Sequence, residues 1–123
     1  MPELTNYEQT LLVGWESTYK MGQLSLWLML SLKDGPKHMA QIKQFIERAT
    51  SGNLTADDKS IYRALRRYFD AELVSFDMKP GTSGPDLKVY ALTEIGRRVL
   101  ERFLARNVRV FYDTSIRALI EEG

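Results

Sequence analysis

Apolar residues recur every three or four positions along most of this chain, and the period falls to two only between Leu73 and Leu92. From Tyr7, the residues Leu11, Leu12, Trp15 and Tyr19 keep a helical spacing, with Thr5 or Asn6 as the N-cap and Glu8 or Gln9 completing a capping box. Glycine costs about 1 kcal/mol in a helix interior, so this first helix is expected to break or kink near Gly22. Leu24, Leu26, Trp27, Leu28, Met29, Leu30 and Leu32 are apolar nearly all round, as in a central helix buried on most sides. Lys33-Asp34-Gly35-Pro36 stops it, with Gly35 at a C-cap. A further helix is predicted from about Lys37 to Ala49, with Met39, Ile42, Phe45 and Ile46 on one face.

The run from Thr55 to Val74 organises the rest. Thr55 with Asp58 resembles a capping box, and Asp57 and Asp58 put negative charge on the positive end of the helix dipole. At about 100° per residue, Ile61, Ala64, Leu65 and Tyr68 fall on one face and Lys59, Arg63, Arg66 and Arg67 on the other. A row of cations is most often a solvated helix face. Here Lys59 sits in the first turn, where it opposes the dipole, and no Glu precedes each cation by four residues to pair with it. Unpaired cations on one face suit phosphates.

Leu73–Met78 and Leu87–Leu92 read as strands, joined by the turn-rich loop Lys79-Pro80-Gly81-Thr82-Ser83-Gly84-Pro85-Asp86. A helix followed by such a hairpin is the layout of a winged helix-turn-helix. Thr93 is the expected N-cap of a last helical region, with Ile95, Val99, Leu100, Phe103 and Leu104 as its stripe, continuing through Val108, Val110, Phe111, Ile116, Leu119 and Ile120. Asn107 and Asp113 are both candidates for dividing it. That much apolar surface predicts a subunit interface, in contact with the N-terminal helix of the partner or of the same chain. The expected fold is mainly α with a small β-hairpin wing: residues 1–22 form an N-terminal extension, 23–93 the winged helix-turn-helix, and 94–123 a C-terminal dimerisation region.

Composition narrows the chemistry. With 123 residues, 44% of them hydrophobic and 27% charged, one domain is the default. The absence of cysteine excludes disulfides and thiolate ligands, and a single His makes a zinc site improbable. There is no Ser-His-acid set in a plausible context and no phosphate-cradling loop, and Gly81-Thr82-Ser83-Gly84 lacks the Lys a P-loop needs, so no enzyme and no cofactor are expected. No segment reads as a signal peptide and Leu24–Leu32 is too short to span a bilayer, so a cytoplasmic protein is expected. The net charge of +1 is near neutral, so any nucleic-acid binding must come from a local patch.

Ser60-Ile61-Tyr62-Arg63-Ala64-Leu65-Arg66-Arg67, then Leu73-Val74, Gly84-Pro85, Lys88, Tyr90, Leu92-Thr93-Glu94 and Gly96-Arg97, occur in an order that resembles the PadR family of bacterial transcriptional regulators, over roughly residues 24–106. His38 matches a family position, while Met39-Ala40 replaces the usual Gly-Tyr. Glu72 stands where the family usually has a left-handed Gly, which predicts a different turn there, and Asp86-Leu87 replaces more basic wing residues. The resemblance implies a homodimeric regulator, most often a repressor, that reads a pseudo-palindrome in double-stranded DNA with the helix around 56–71. Lys59, Ser60, Tyr62 and Arg63 would reach bases or phosphates, Arg66 and Arg67 would hold phosphates, and Lys79 and Lys88 would place the wing. Some relatives respond to small aromatic molecules, which makes Trp15, Tyr19, Trp27, Phe103 and Phe111 candidates for a ligand pocket, although such aromatics more often form core or dimer interface. The alternative is a winged-helix protein-interaction module that does not bind DNA.

Overall fold

Thr5 starts the first helix with a complete capping box: its hydroxyl accepts from the Glu8 N–H at 3.1 Å, and the Glu8 carboxylate accepts from the Thr5 N–H at 2.8 Å. In this computed structural model, which describes residues 2–122, α1 (Asn6–Lys20) runs through Gly14 and ends at Met21. Gly22, at φ +83°, then turns the chain into α2 (Gln23–Lys33), as the predicted break required. Leu28, Met29, Ser31 and Leu32 of α2 are buried.

Lys37 does not open the next helix, as its position had suggested. Its N–H donates to the Tyr90 carbonyl at 2.9 Å and its carbonyl accepts from the Tyr90 N–H at 2.8 Å, making a single-residue bridge beside the hairpin. Helix α3 (Met39–Ala49) begins two residues later, with the Gln41 side chain accepting from the His38 N–H at 3.0 Å.

Helix α4 (Asp58–Asp70) is capped by Asp57 rather than Thr55. The Asp57 carboxylate accepts from the Ser60 N–H at 2.7 Å, and Asp is the stronger cap because it also places a full charge on the dipole end. Thr55 stays outside the helix, next to the buried Leu54. At the far end the Leu73 N–H donates to the Tyr68 carbonyl at 2.8 Å and the Glu72 N–H to the Phe69 carbonyl at 3.0 Å, a Schellman closure. Glu72 takes the left-handed conformation, φ +64°, so the turn is the one a glycine would make and not the different one anticipated.

Strands β1 (Val74–Lys79) and β2 (Leu87–Leu92) pair antiparallel, with Val74 opposite Leu92 and Lys79 opposite Leu87. Thr93 ties the α4–β1 turn to α5 (Glu94–Asn107): its hydroxyl donates to the Glu72 carbonyl at 2.6 Å and accepts from the Gly96 N–H at 2.9 Å. At Gly96 the backbones touch, since a Cβ there would stand 2.0 Å from the Leu73 carbonyl oxygen. Beyond α5 the chain divides at both predicted points, into a 3-10 turn (Arg109–Tyr112) and α6 (Thr114–Glu121), which Asp113 caps.

Leu28, Leu32, Ile42, Ile46, Ile61, Leu65 and Val74 are fully buried in one core, joined by Leu100 and Leu104. Each such side chain contributes about 1.5–3 kcal/mol by leaving water. The stripe of α5 therefore splits, with Ile95, Val99 and Phe103 facing outward. Helices α1 and α6 bury no residue at all. Among the described residues, no helix is long and apolar enough to cross a membrane.

Candidate nucleic-acid interface

Helix α4 carries its two faces as the periodicity predicted. Ile61, Ala64 and Leu65 are buried and Tyr68 half-buried, whereas Lys59, Tyr62, Arg63, Arg66 and Arg67 are exposed and Ser60 lies between. Among the described residues, none of Lys59, Arg63, Arg66 and Arg67 has a carboxylate within 4 Å. The Arg67 guanidinium instead leans over the Tyr68 ring, 5.7 Å from its centroid, which draws it to one flank of the row. The Ser60 N–H, and secondarily the Ser60 hydroxyl, hold the Asp57 carboxyl below its usual range, so the helix start remains anionic. Asp70 shares the angular position of Arg63 near the other end, so the positive row from Lys59 to Arg67 is closed by a carboxylate at the last residue of the helix.

The hairpin register separates the two wing lysines. Lys88 lies opposite Met78, on the strand face that also carries Phe76 and Tyr90, and its ammonium is 4.7 Å from the Phe76 ring centroid. Lys79, one position out of phase, belongs to the other face with Asp77 and Ser75. Only Lys88 therefore shares a surface with α4.

A groove of about 620 Å³ runs between the start of α3, the start of α4 and β2, bordered by His38, Lys43, Gln44, Tyr62 and Lys88. Lys43 reaches across it to Asp58 at 3.4 Å. Sequence reasoning missed Lys43 and Gln44 as neighbours of the cationic row; the polar, outward positions of α3 were the available signal. Tyr62 stands on the wing side of α4, near Tyr90, whose phenol is pushed up chiefly by burial and further by Tyr62.

The aromatic candidates are not brought together in the single chain. Trp15 and Tyr19 lie exposed on α1, Phe111 is exposed in the 3-10 turn, and Trp27 is half-buried against the core. Phe103 lines a separate apolar hollow of about 130 Å³ with Leu26, Met29 and Val99. What Trp15, Tyr19, Phe103 and Phe111 share is apolar surface left in water. No cluster of metal-binding side chains occurs among the described residues.

Residues 28–102 match the transcriptional regulator PadR-like family. No protein of curated function matches the chain. Among solved structures, a PadR-like transcription factor from Bacteroides fragilis is 25% identical, with a TM-score of 0.66 over 83% of this chain and 96% of that one. A PadR family regulator from Eggerthella lenta is 18% identical with a TM-score of 0.70, covering 97% of this chain and 100% of that one. Bacillus subtilis PadR in complex with operator DNA is 21% identical, with a TM-score of 0.62 over 68% of this chain and 48% of that longer chain. The fold shared by all three is the winged helix with flanking helices.

Proposed function

The chain belongs to the PadR-like family of transcriptional regulators, and from that membership we propose that it is a homodimeric repressor that reads a pseudo-palindromic operator with α4. It is accordingly no enzyme. The observation that carries the reading is the row Lys59, Arg63, Arg66 and Arg67, exposed and without carboxylate partners. A helix of this kind fits the major groove, about 12 Å wide. Lys59, Ser60 and Arg63 face bases or phosphates from its first turns, with Tyr62 beside them. Arg66 and Arg67 hold phosphates, which fix the helix in register without reading sequence. Lys88 contacts the backbone from the wing, and Lys79 reaches it from the hairpin's opposite face. That Bacillus subtilis PadR has been crystallised with operator DNA supports this use of the fold.

Residues 23–93 form the reading head, and 1–22 and 94–123 the pairing arms. One short cationic row on a near-neutral chain binds a half-site weakly, whereas two linked heads gain from high effective concentration. Trp15, Tyr19, Phe103 and Phe111 supply apolar surface for that pairing. The protein works in the cytoplasm, and a small aromatic ligand that bars α4 from the duplex releases it.

The test is binding to the duplex from the chain's own upstream region, beside a scrambled duplex, at two salt concentrations. Tight, sequence-preferring binding that weakens steeply with salt is the expected result, because phosphate contacts release counterions. Equal, weak binding to both duplexes by a confirmed dimer would instead favour the interaction-module reading.

A further inference from the structure

Every residue of α1 is exposed except Glu16 and Lys20, which are half-buried. Glu16 is shaded by its own helix: with Leu12, Trp15 and Tyr19 it lines a cup of about 200 Å³. Among the described residues, no cation comes within 4 Å of its carboxylate. Lys20, one turn on, is the ordinary partner of a helical glutamate, and it does not close on Glu16 either. A carboxylate beside an indole and a phenol attracts a cation twice, through its charge and through the ring quadrupoles. Guanidinium suits such a cup better than ammonium, because it is planar, more weakly hydrated and stacks on aromatic faces.

The chain carries a guanidinium in a matching place. Helix α5 leaves Ile95, Val99 and Phe103 in water, and Arg106, seven positions beyond Val99 and three beyond Phe103, continues that stripe. Arg106 is exposed, with no carboxylate within 4 Å among the described residues. The two helices also differ in charge. Residues 2–22 hold three glutamates against one lysine, whereas α5 holds four arginines against two glutamates. Laying α1 on a second α1, or α5 on a second α5, would bring like charges together; laying α1 on α5 brings opposite ones.

We propose that the cup on α1 seats Arg106 of a second copy of this chain, so that α1 of each protomer lies along α5 of the other. The proposal rests on the pairing inferred above and adds which helix meets which, and the contact that fixes their register. Two-fold symmetry makes the contact twice, so each dimer holds two filled cups.

The test is sedimentation of the full chain carrying Glu16→Arg or Arg106→Glu, with circular dichroism to check that the core still melts as in wild type. Each substitution alone sets like charges in both cups and should raise the dimer dissociation constant at least tenfold. An equimolar mixture of the two variants should recover dimer, because in the mixed pair one cup is native and the other has its charges exchanged. Arg97→Glu makes the same change of charge about half a helical turn from Arg106, and should leave the constant within twofold of wild type. A wild-type dimer that neither cup variant weakens would overturn the cup while the pairing stands. So would variants that mixing does not restore, or an effect of Arg97→Glu as large as that of Arg106→Glu. A wild-type chain that stays monomeric would overturn the pairing itself, and the cup with it.

Discussion

Lys37 and Tyr90 exchange both of their backbone hydrogen bonds, at 2.9 and 2.8 Å, so one residue serves as a third strand and pins the wing to the α2–α3 connection. The same lysine finishes α2. Its ammonium donates to the Ser31 carbonyl at 2.7 Å and to Asp34 at 2.9 Å, and lies 5.2 Å from the centre of the Phe45 ring, with only 13% of the side chain exposed. Lys37→Met keeps the aliphatic stem and the strand bridge but leaves the Ser31 carbonyl without its charged donor. It should destabilise the fold by about 1–3 kcal/mol, read as a lower melting temperature by circular dichroism.

None of that was legible in the sequence, and the reason is physical. A single-residue strand has no period, so Lys37 looked like the start of a helix. By contrast the faces of α4 repeat over several turns, and its buried and exposed positions follow the 3.6-residue period throughout. Thr55 and Asp57 are both good caps by residue type, and no local pattern separates them; the structure uses Asp57, whose carboxylate accepts from the Ser60 N–H at 2.7 Å. Lys79 and Lys88 looked equivalent because side-chain parity in a hairpin depends on register, which the flexible turn leaves open. The groove between α3 and β2 joins residues some fifty positions apart, a distance across which no local pattern carries information.

Arg63 lies at the centre of the exposed face of α4 and, among the described residues, has no carboxylate within 4 Å. Arg63→Ala should weaken operator binding by about 1–3 kcal/mol and lower the salt slope by about one contact, with little change in melting. A fall in melting temperature without a fall in binding would invert the assignment of the two faces.

Glu72 holds a left-handed backbone that costs an L-residue about 1–2 kcal/mol. Glycine removes that cost but gains freedom in the unfolded chain, about 0.5–1 kcal/mol. Glu72→Gly should therefore stabilise by roughly 0.5–1 kcal/mol net. Urea unfolding measures it through the transition midpoint, and Glu72→Ala, which keeps the Cβ, should not reproduce the gain.

Asp34, Asp57, Glu101 and Asp113 all have carboxyls held below their ordinary range. The first causes are the Lys37 ammonium, the Ser60 N–H, the Arg109 guanidinium and the Ser115 hydroxyl respectively. A depressed folded-state pKa gives stability that is complete above the unfolded value, about 4, and is lost as pH falls through the folded one. Melting temperature should be flat above pH 5 and drop steadily below pH 4. Asp57→Asn, which still caps but carries no charge to meet the dipole, should melt somewhat below wild type at pH 7 and lose less on acidification.

Trp15 is 75% exposed on a helix that buries no residue. If α1 is the pairing surface, Trp15→Glu should shift sedimentation from dimer to monomer and weaken duplex binding by at least tenfold, while the core melts nearly unchanged. A dimer that survives the substitution would move the interface to α5 and α6.

Isolated helices shorter than about 12–15 residues are marginal in water even when rich in alanine, and α1, with 15 residues and Gly14 inside, has almost nothing in its own chain to lean on. Ordering of residues 6–20 and meeting a second chain would then be one event, driven by abundance. If α1 is the pairing arm, a newly made molecule would be a finished head with an unfinished arm, and dilution would undo the arm before it touched the head. The rate of synthesis would thus act as a threshold: below it the protein is present and folded at its core yet inert at the operator, and above it occupancy rises faster than protein level.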